Sequence, residues 1–150
     1  MKGIILELKG RSEPLFYFTV LCFAASLLFI VLTRLTATQV AGANAWYKPF
    51  KFSLSISLYS GTMAWLVSYL HHFDKSLFAW AVIVLLGFEI IYIVPQAAKG
   101  RQSHFNVSSP LYAALYGLMA VAATAVSLYT AYIRMLFFKN DFQGLPLHYV

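Results

Sequence analysis

Phe88-Glu89-Ile90-Ile91-Tyr92-Ile93-Val94-Pro95-Gln96-Ala97-Ala98-Lys99-Gly100-Arg101-Gln102-Ser103-His104-Phe105-Asn106 is the stretch that decides how the rest of the chain is read. It begins inside an apolar run and carries the only acidic residue of any long apolar segment. It then meets Pro95 and leaves through a polar, basic cluster. A carboxylate is expensive in lipid and needs a partner, so Glu89 is a functional-site candidate by default. Offsets of three, four and seven put Tyr92, Ile93 and Gln96 on the same side of a helix as Glu89. Pro95 cannot donate to the Ile91 carbonyl, which predicts a freed acceptor one turn from Glu89 and a break or kink in the helix. Carboxylate, phenol, carbonyl and amide on one stripe describe the lining of a buried polar pocket.

Outward from this stretch the chain is membrane-like. Of 150 residues, 61% are hydrophobic and only 11% charged, where soluble domains carry about 25% charged residues. The length suits one bundle and no second domain. The net charge of +6 sits in residues that flank apolar runs and form no stripe, which points to anionic lipid headgroups and away from nucleic acid. The single cysteine, Cys22, lies within an apolar run, so no intrachain disulfide and no cysteine-based zinc site can form.

Four crossings are expected in an all-α integral membrane bundle, with helices near 15–33, 50–70, 77–98 and 111–133. Leu15 to Thr33 is an uncharged run of 19 residues, enough for roughly 30 Å of hydrocarbon. Ser12-Glu13-Pro14 before it reads as a capped helix start, and the Ile4-Ile5-Leu6 patch of the tail could dock as a short amphipathic turn. Pro49 suits the first turn of the second helix, and Trp46, Tyr47, Lys48 and Lys51 around it suit the headgroup layer. Along this helix Ser53, Ser57, Ser60, Gly61 and Ala64 fall at spacings of three and four, a stripe for close helix packing. His71 to Ser76 turns the chain back towards Glu89. The last helix is rich in alanine, with Gly117 among them.

Four crossings place the Arg34–Lys51 connection and the Lys99–Pro110 connection on one face. Residues about fifty positions apart thus meet at one end of the bundle. The basic residues divide six against five between the two faces, too even for the positive-inside rule to orient the chain. Lys48, Lys51 and Arg101 reach in from the motif end and are the expected charge partners of Glu89.

Lys48-Pro49-Phe50-Lys51-Phe52, Trp65, Glu89, Gln96-Ala97-Ala98-Lys99-Gly100, Ser103-His104-Phe105-Asn106 and Pro110 resemble a family of small bacterial membrane proteins. In that family a KPxKF segment, an intramembrane glutamate and a QAxxGxxSHFN segment recur in this order. The resemblance covers residues 44 to 120. It implies a bacterial inner membrane and a polar site, but no reaction. Members of that family run on into further helices with another histidine motif, so the resemblance also implies a site that a partner chain completes here, or that is absent.

The candidate ligand-binding residues are therefore Trp46, Lys48, Lys51, Glu89, Tyr92, Gln96, Arg101, Ser103, His104 and Asn106. His71, His72 and His148 fall on the other face and no Glu-x-x-His or His-x-x-x-His pair occurs on a helix, so no metal site is expected. Phosphate-loop, dinucleotide and nucleophile-elbow signatures are missing. An enzyme is not the favoured reading, although Glu89, His104 and Lys48 leave acid–base work on a lipid or quinone open. Three readings remain. The first is binding or transport of a small anionic ligand or lipid headgroup in the end pocket. The second is an accessory subunit or homo-oligomer packed through small residues. The third is a redox subunit holding haem b or quinone.

Overall fold

The uncharged run after Pro14 forms α2, Glu13–Leu35, with Ser12 in the N-cap position. The Ser12 side chain makes no cap bond; its carbonyl accepts from the Phe16 N–H at 2.9 Å. The computed structural model describes residues 2–104 and 107–139. Ahead of α2 lies α1, Lys2–Arg11, and after it come β1 (Gln39–Val40), β2 (Ala43–Asn44), α3 (Tyr47–Val67), α4 (Lys75–Ala98) and α5 (Pro110–Lys139). The tail expected to give one short turn is thus a helix of 10 residues. It is fastened by Arg11, which donates to Ser68 Oγ and to the Tyr69 hydroxyl.

Helix ends differ from expectation for local reasons. Residues 39–44 form an antiparallel hairpin, Gln39 opposite Asn44, turned by Ala41 and Gly42, both with positive φ, as a two-residue hairpin turn requires. Asn44 Nδ2 donates to the Thr33 and Thr36 carbonyls, and Asn44 Oδ1 accepts from the Trp46 N–H at 2.9 Å. This closure starts α3 at Tyr47, three residues early. Asp74 caps α4 by accepting from the Leu77 N–H at 2.9 Å, so α4 starts at Lys75. Pro95 does not break α4, which runs on to Ala98. The helix stops where Gly100 takes φ +63°, with Arg101 N–H donating to the Gln96 carbonyl and Gly100 N–H to that of Ala97. That bond pair is a Schellman stop, and it sets the position of Arg101.

α2 and α3 pack antiparallel through the small stripe of α3. Ser57 Oγ donates to the Thr19 carbonyl at 3.0 Å, and a Cβ on Gly61 would lie 3.3 Å from Thr19 Cγ2. Ser53 and Ser60 are fully buried there. α4 packs on α3, and α5 packs on α4, with Phe78 edge-on to Tyr129 at 5.0 Å. α3 and α5 therefore run parallel as walls on either side of α4, joined by Tyr59 and Thr130, whose hydroxyls lie 2.7 Å apart.

The described chain is all-helical apart from the hairpin and its turns, and α2, α4 and α5 are long and apolar enough to cross a membrane. α3 has 21 residues but falls outside that set of three, because four serines and two lysines dilute its apolar run.

Candidate functional site

The connection after α4 folds back over the start of α3. Lys48 Nζ lies 2.6 Å from His104 Nδ1. Since an ammonium can only donate, Nδ1 accepts and His104 is the tautomer protonated on Nε2. Ser103 Oγ stands 3.4 Å from the same nitrogen. The Phe52 and Tyr116 rings flank the imidazole at 5.6 and 5.9 Å between centroids. Burial, and then the neighbouring Lys48 ammonium, hold the His104 imidazolium below its ordinary pKa. Arg101 Nη1 donates to the Tyr112 hydroxyl at 3.1 Å.

Lys48, Phe52, Arg101, Ser103 and His104 line an end pocket of about 440 Å³. Lys48 and Lys51 enter it from α3, and Arg101, Ser103 and His104 from the connection. The hairpin supplies a wall through Val40, Ala43 and Asn44, and α4 supplies Ile93 and Ala97. Three cations share this lining with no carboxylate among them. Segments 34–52 and 98–110 contain no Asp or Glu at all.

Glu89 is elsewhere. It is 5% exposed and lines a second cavity, a groove of about 590 Å³ between α3 and α5 with α4 as its floor. Among the described residues its carboxylate has no hydrogen bond and no ion pair within 4.0 Å. The expected pairing with Lys48, Lys51 or Arg101 is therefore corrected. Lys48 is engaged by His104 and Arg101 by Tyr112, and Lys51 shares the groove lining without contacting the acid at ion-pair distance. The groove walls are Phe52 and Ile56 with Ala123 and Val126 above Leu86 of the floor, and its polar points are Ser55, Tyr59, Ser127 and Thr130.

The helical stripe is buried as expected but its members diverge. Tyr92 and Gln96 are 8% and 6% exposed and line neither cavity. Tyr92 packs with Ile93 and Met119, and its hydroxyl, like Gln96 Oε1, has no partner among the described residues. Trp46 is no part of the pocket: it stacks on Phe29 at 5.6 Å and joins the hairpin to α2. Asn106 lies outside the described residues, as does His148. His71 and His72 are exposed at the opposite end. Among the described residues no three His, Cys, Asp or Glu side chains gather as a metal site would need.

Sequence reasoning missed the hairpin wall, whose signal is the Ala41-Gly42 turn, and the groove residues Tyr59, Ser127 and Thr130. No protein-family model, curated protein or solved structure matches this chain.

Proposed function

We propose that this protein is a four-crossing integral membrane protein that binds a small anionic ligand, or the anionic headgroup of a lipid, in the pocket at the Lys48–Arg101 end. A single observation carries the reading: Lys48, Lys51 and Arg101 line one cavity with no carboxylate among its walls. Like charges held together repel unless something of opposite sign joins them, and an anion is that something. A guanidinium and two ammoniums supply the charge-assisted bonds that phosphate or carboxylate groups accept best.

What supports four crossings is where α3 hides its polar groups. Ser53, Ser57 and Ser60 are buried against α2, so the face α3 turns to lipid is more apolar than its composition. Its length, about 31 Å at 1.5 Å per residue, matches the hydrocarbon. A bacterial inner membrane, implied by the motif resemblance, belongs to the same reading.

The test is native mass spectrometry on protein extracted gently from its own membrane, beside the Lys48→Gln/Arg101→Gln double variant. The expected result is an anionic adduct, lipid or free anion, whose affinity falls about a hundredfold or more in the double variant, since charge-assisted bonds contribute about 1.5–3 kcal/mol each. An adduct indifferent to the double substitution sinks the reading.

One observation favours a second reading, an accessory subunit. α5 turns Gly117, Ala120 and Thr124 outward, and a Cβ on Gly117 would meet nothing within 4 Å. Small residues of this kind let another helix approach closely. A bare chain found only with copies of itself or another protein would favour it.

A further inference from the structure

The end pocket and the lateral groove adjoin. Lys51 and Phe52 line both, and α4 passes from one to the other: Ala97 and Ile93 in the pocket, then Glu89 and Leu86 in the groove. The groove is mainly apolar, lies open between α3 and α5, and is bridged at its far end by Tyr59 and Thr130. From Lys51 to Tyr59 it follows α3 for about 12 Å. Glu89, nine-tenths buried and unpartnered among the described residues, enters at the pocket side of this run. In low-dielectric surroundings a polar group so placed calls for a hydrogen-bonding partner.

We propose that pocket and groove are one site for an anionic amphiphile, with its headgroup on Lys48, Lys51 and Arg101, a hydroxyl- or amide-bearing linker at Glu89, and its chain between α3 and α5. This rests on the anion-binding reading of the end pocket and names the class of ligand. A free anion fills the pocket and leaves Glu89 and the groove without use. A chain-bearing anion engages all three, in the order in which head, linker and chain occur in such molecules.

The experiment uses the full chain in phosphatidylcholine nanodiscs with three probes: inorganic phosphate, dodecyl phosphate, and dodecanoyl-glycerol phosphate, which adds a linker hydroxyl. Variants compared in the same membrane share the same partitioning of the probe, so differences report the site. Ala123→Phe fills the groove from its α5 wall, and Ser127→Leu does so with a smaller group. Position 123 is exposed, so the added volume points into the groove and spares the packed core. Thermal unfolding of each variant checks the fold.

The expected result is that Ala123→Phe weakens both chain-bearing probes about tenfold or more and leaves phosphate binding unchanged. Glu89→Leu removes about a fivefold preference for the glycerol-linked probe over dodecyl phosphate. A diazirine near the chain end should label α3 and α5 around Ile56 and Val126 in the unsubstituted protein, a result independent of any variant's folding. If chain-bearing probes depend on Lys48 but ignore Ala123→Phe and Ser127→Leu, the chain placement is overturned while the anion reading stands. If no probe depends on Lys48 or Arg101, the anion reading itself fails, and this inference with it.

Discussion

The two ends of the bundle carry similar numbers of basic residues and use them in opposite ways. At the α1 end, two of the cations meet carboxylates. Arg11 reaches Glu7 at 2.7 Å, bonds Ser68 and Tyr69, and lies 4.0 Å from the centre of the Trp65 ring. Lys9 approaches Glu13 at 3.7 Å, Lys75 donates to the Ser68 carbonyl, and Asp74 caps α4. At the other end Arg34, Lys48, Lys51, Lys99 and Arg101 emerge from segments without a carboxylate. Among the described residues the polar partners of Lys48 and Arg101 are neutral, a histidine and a tyrosine. Charge at the first end closes helix termini and fastens α1 to α3. Charge at the second has no carboxylate among the pocket walls, and surplus charge of one sign is what a binding site for the other sign needs.

Substitution can break this contrast. Arg11→Ala should have the largest effect on stability, a loss of about 2 kcal/mol, because it removes charge-assisted bonds and ring stacking together. Lys99→Ala, an exposed cation at the opposite end, should change stability by less than about 0.5 kcal/mol. Unfolding in mild detergent by denaturant measures both, and equal losses would erase the distinction between the two ends. Asp74→Ala comes next. It removes the cap on Leu77 and should cost about 1 kcal/mol, with anion binding at the far end untouched. A parallel loss of binding would mean that the ends are coupled through α4.

The parts of this arrangement legible in the sequence are those with local causes. The uncharged run after Pro14 locates α2, and an apolar segment ending in a lysine and a glycine locates α4. The spacing of Glu89, Tyr92, Ile93 and Gln96 marks a buried face, and all four are buried. The back-and-forth order of the helices also brings Lys48 and His104, 56 residues apart, to one end, where they touch. What stays hidden depends on neighbours. Whether Glu89 faces a cation or an open groove is decided by α5, whose parallel run beside α3 shows only in pairs such as Tyr59 and Thr130, 71 residues apart. The serines of α3 divide in the same way: Ser53, Ser57 and Ser60 are buried, with Ser57 bonded to α2, while Ser55 lines the groove. A spacing rule finds the first set and has no means of finding the second. The start of α3 moves because Asn44 anchors the hairpin to α2 through the Thr33 and Thr36 carbonyls, a contact that helix propensity does not encode.

The smallest effect is also the most local probe of the cationic end. His104 is held below the ordinary imidazole pKa of about 6.5 by burial and then by the Lys48 ammonium. A base depressed in the folded state favours folding while it is neutral. As pH falls through about 6.5 the unfolded chain takes up its proton first, so this contribution is present above that pH. It is lost progressively below it, down to the folded-state value. Protonation also removes the Nδ1 lone pair that accepts from Lys48, which sets two donors face to face. An NMR titration of the His104 ring should give a midpoint below 6.5. In Lys48→Met the midpoint should rise but stay depressed, because burial remains when the neighbouring charge is gone. A midpoint at or above 6.5 in the unsubstituted protein would place His104 in water and take Lys48 away from it. The pocket would then lose the contact that ties its two halves together.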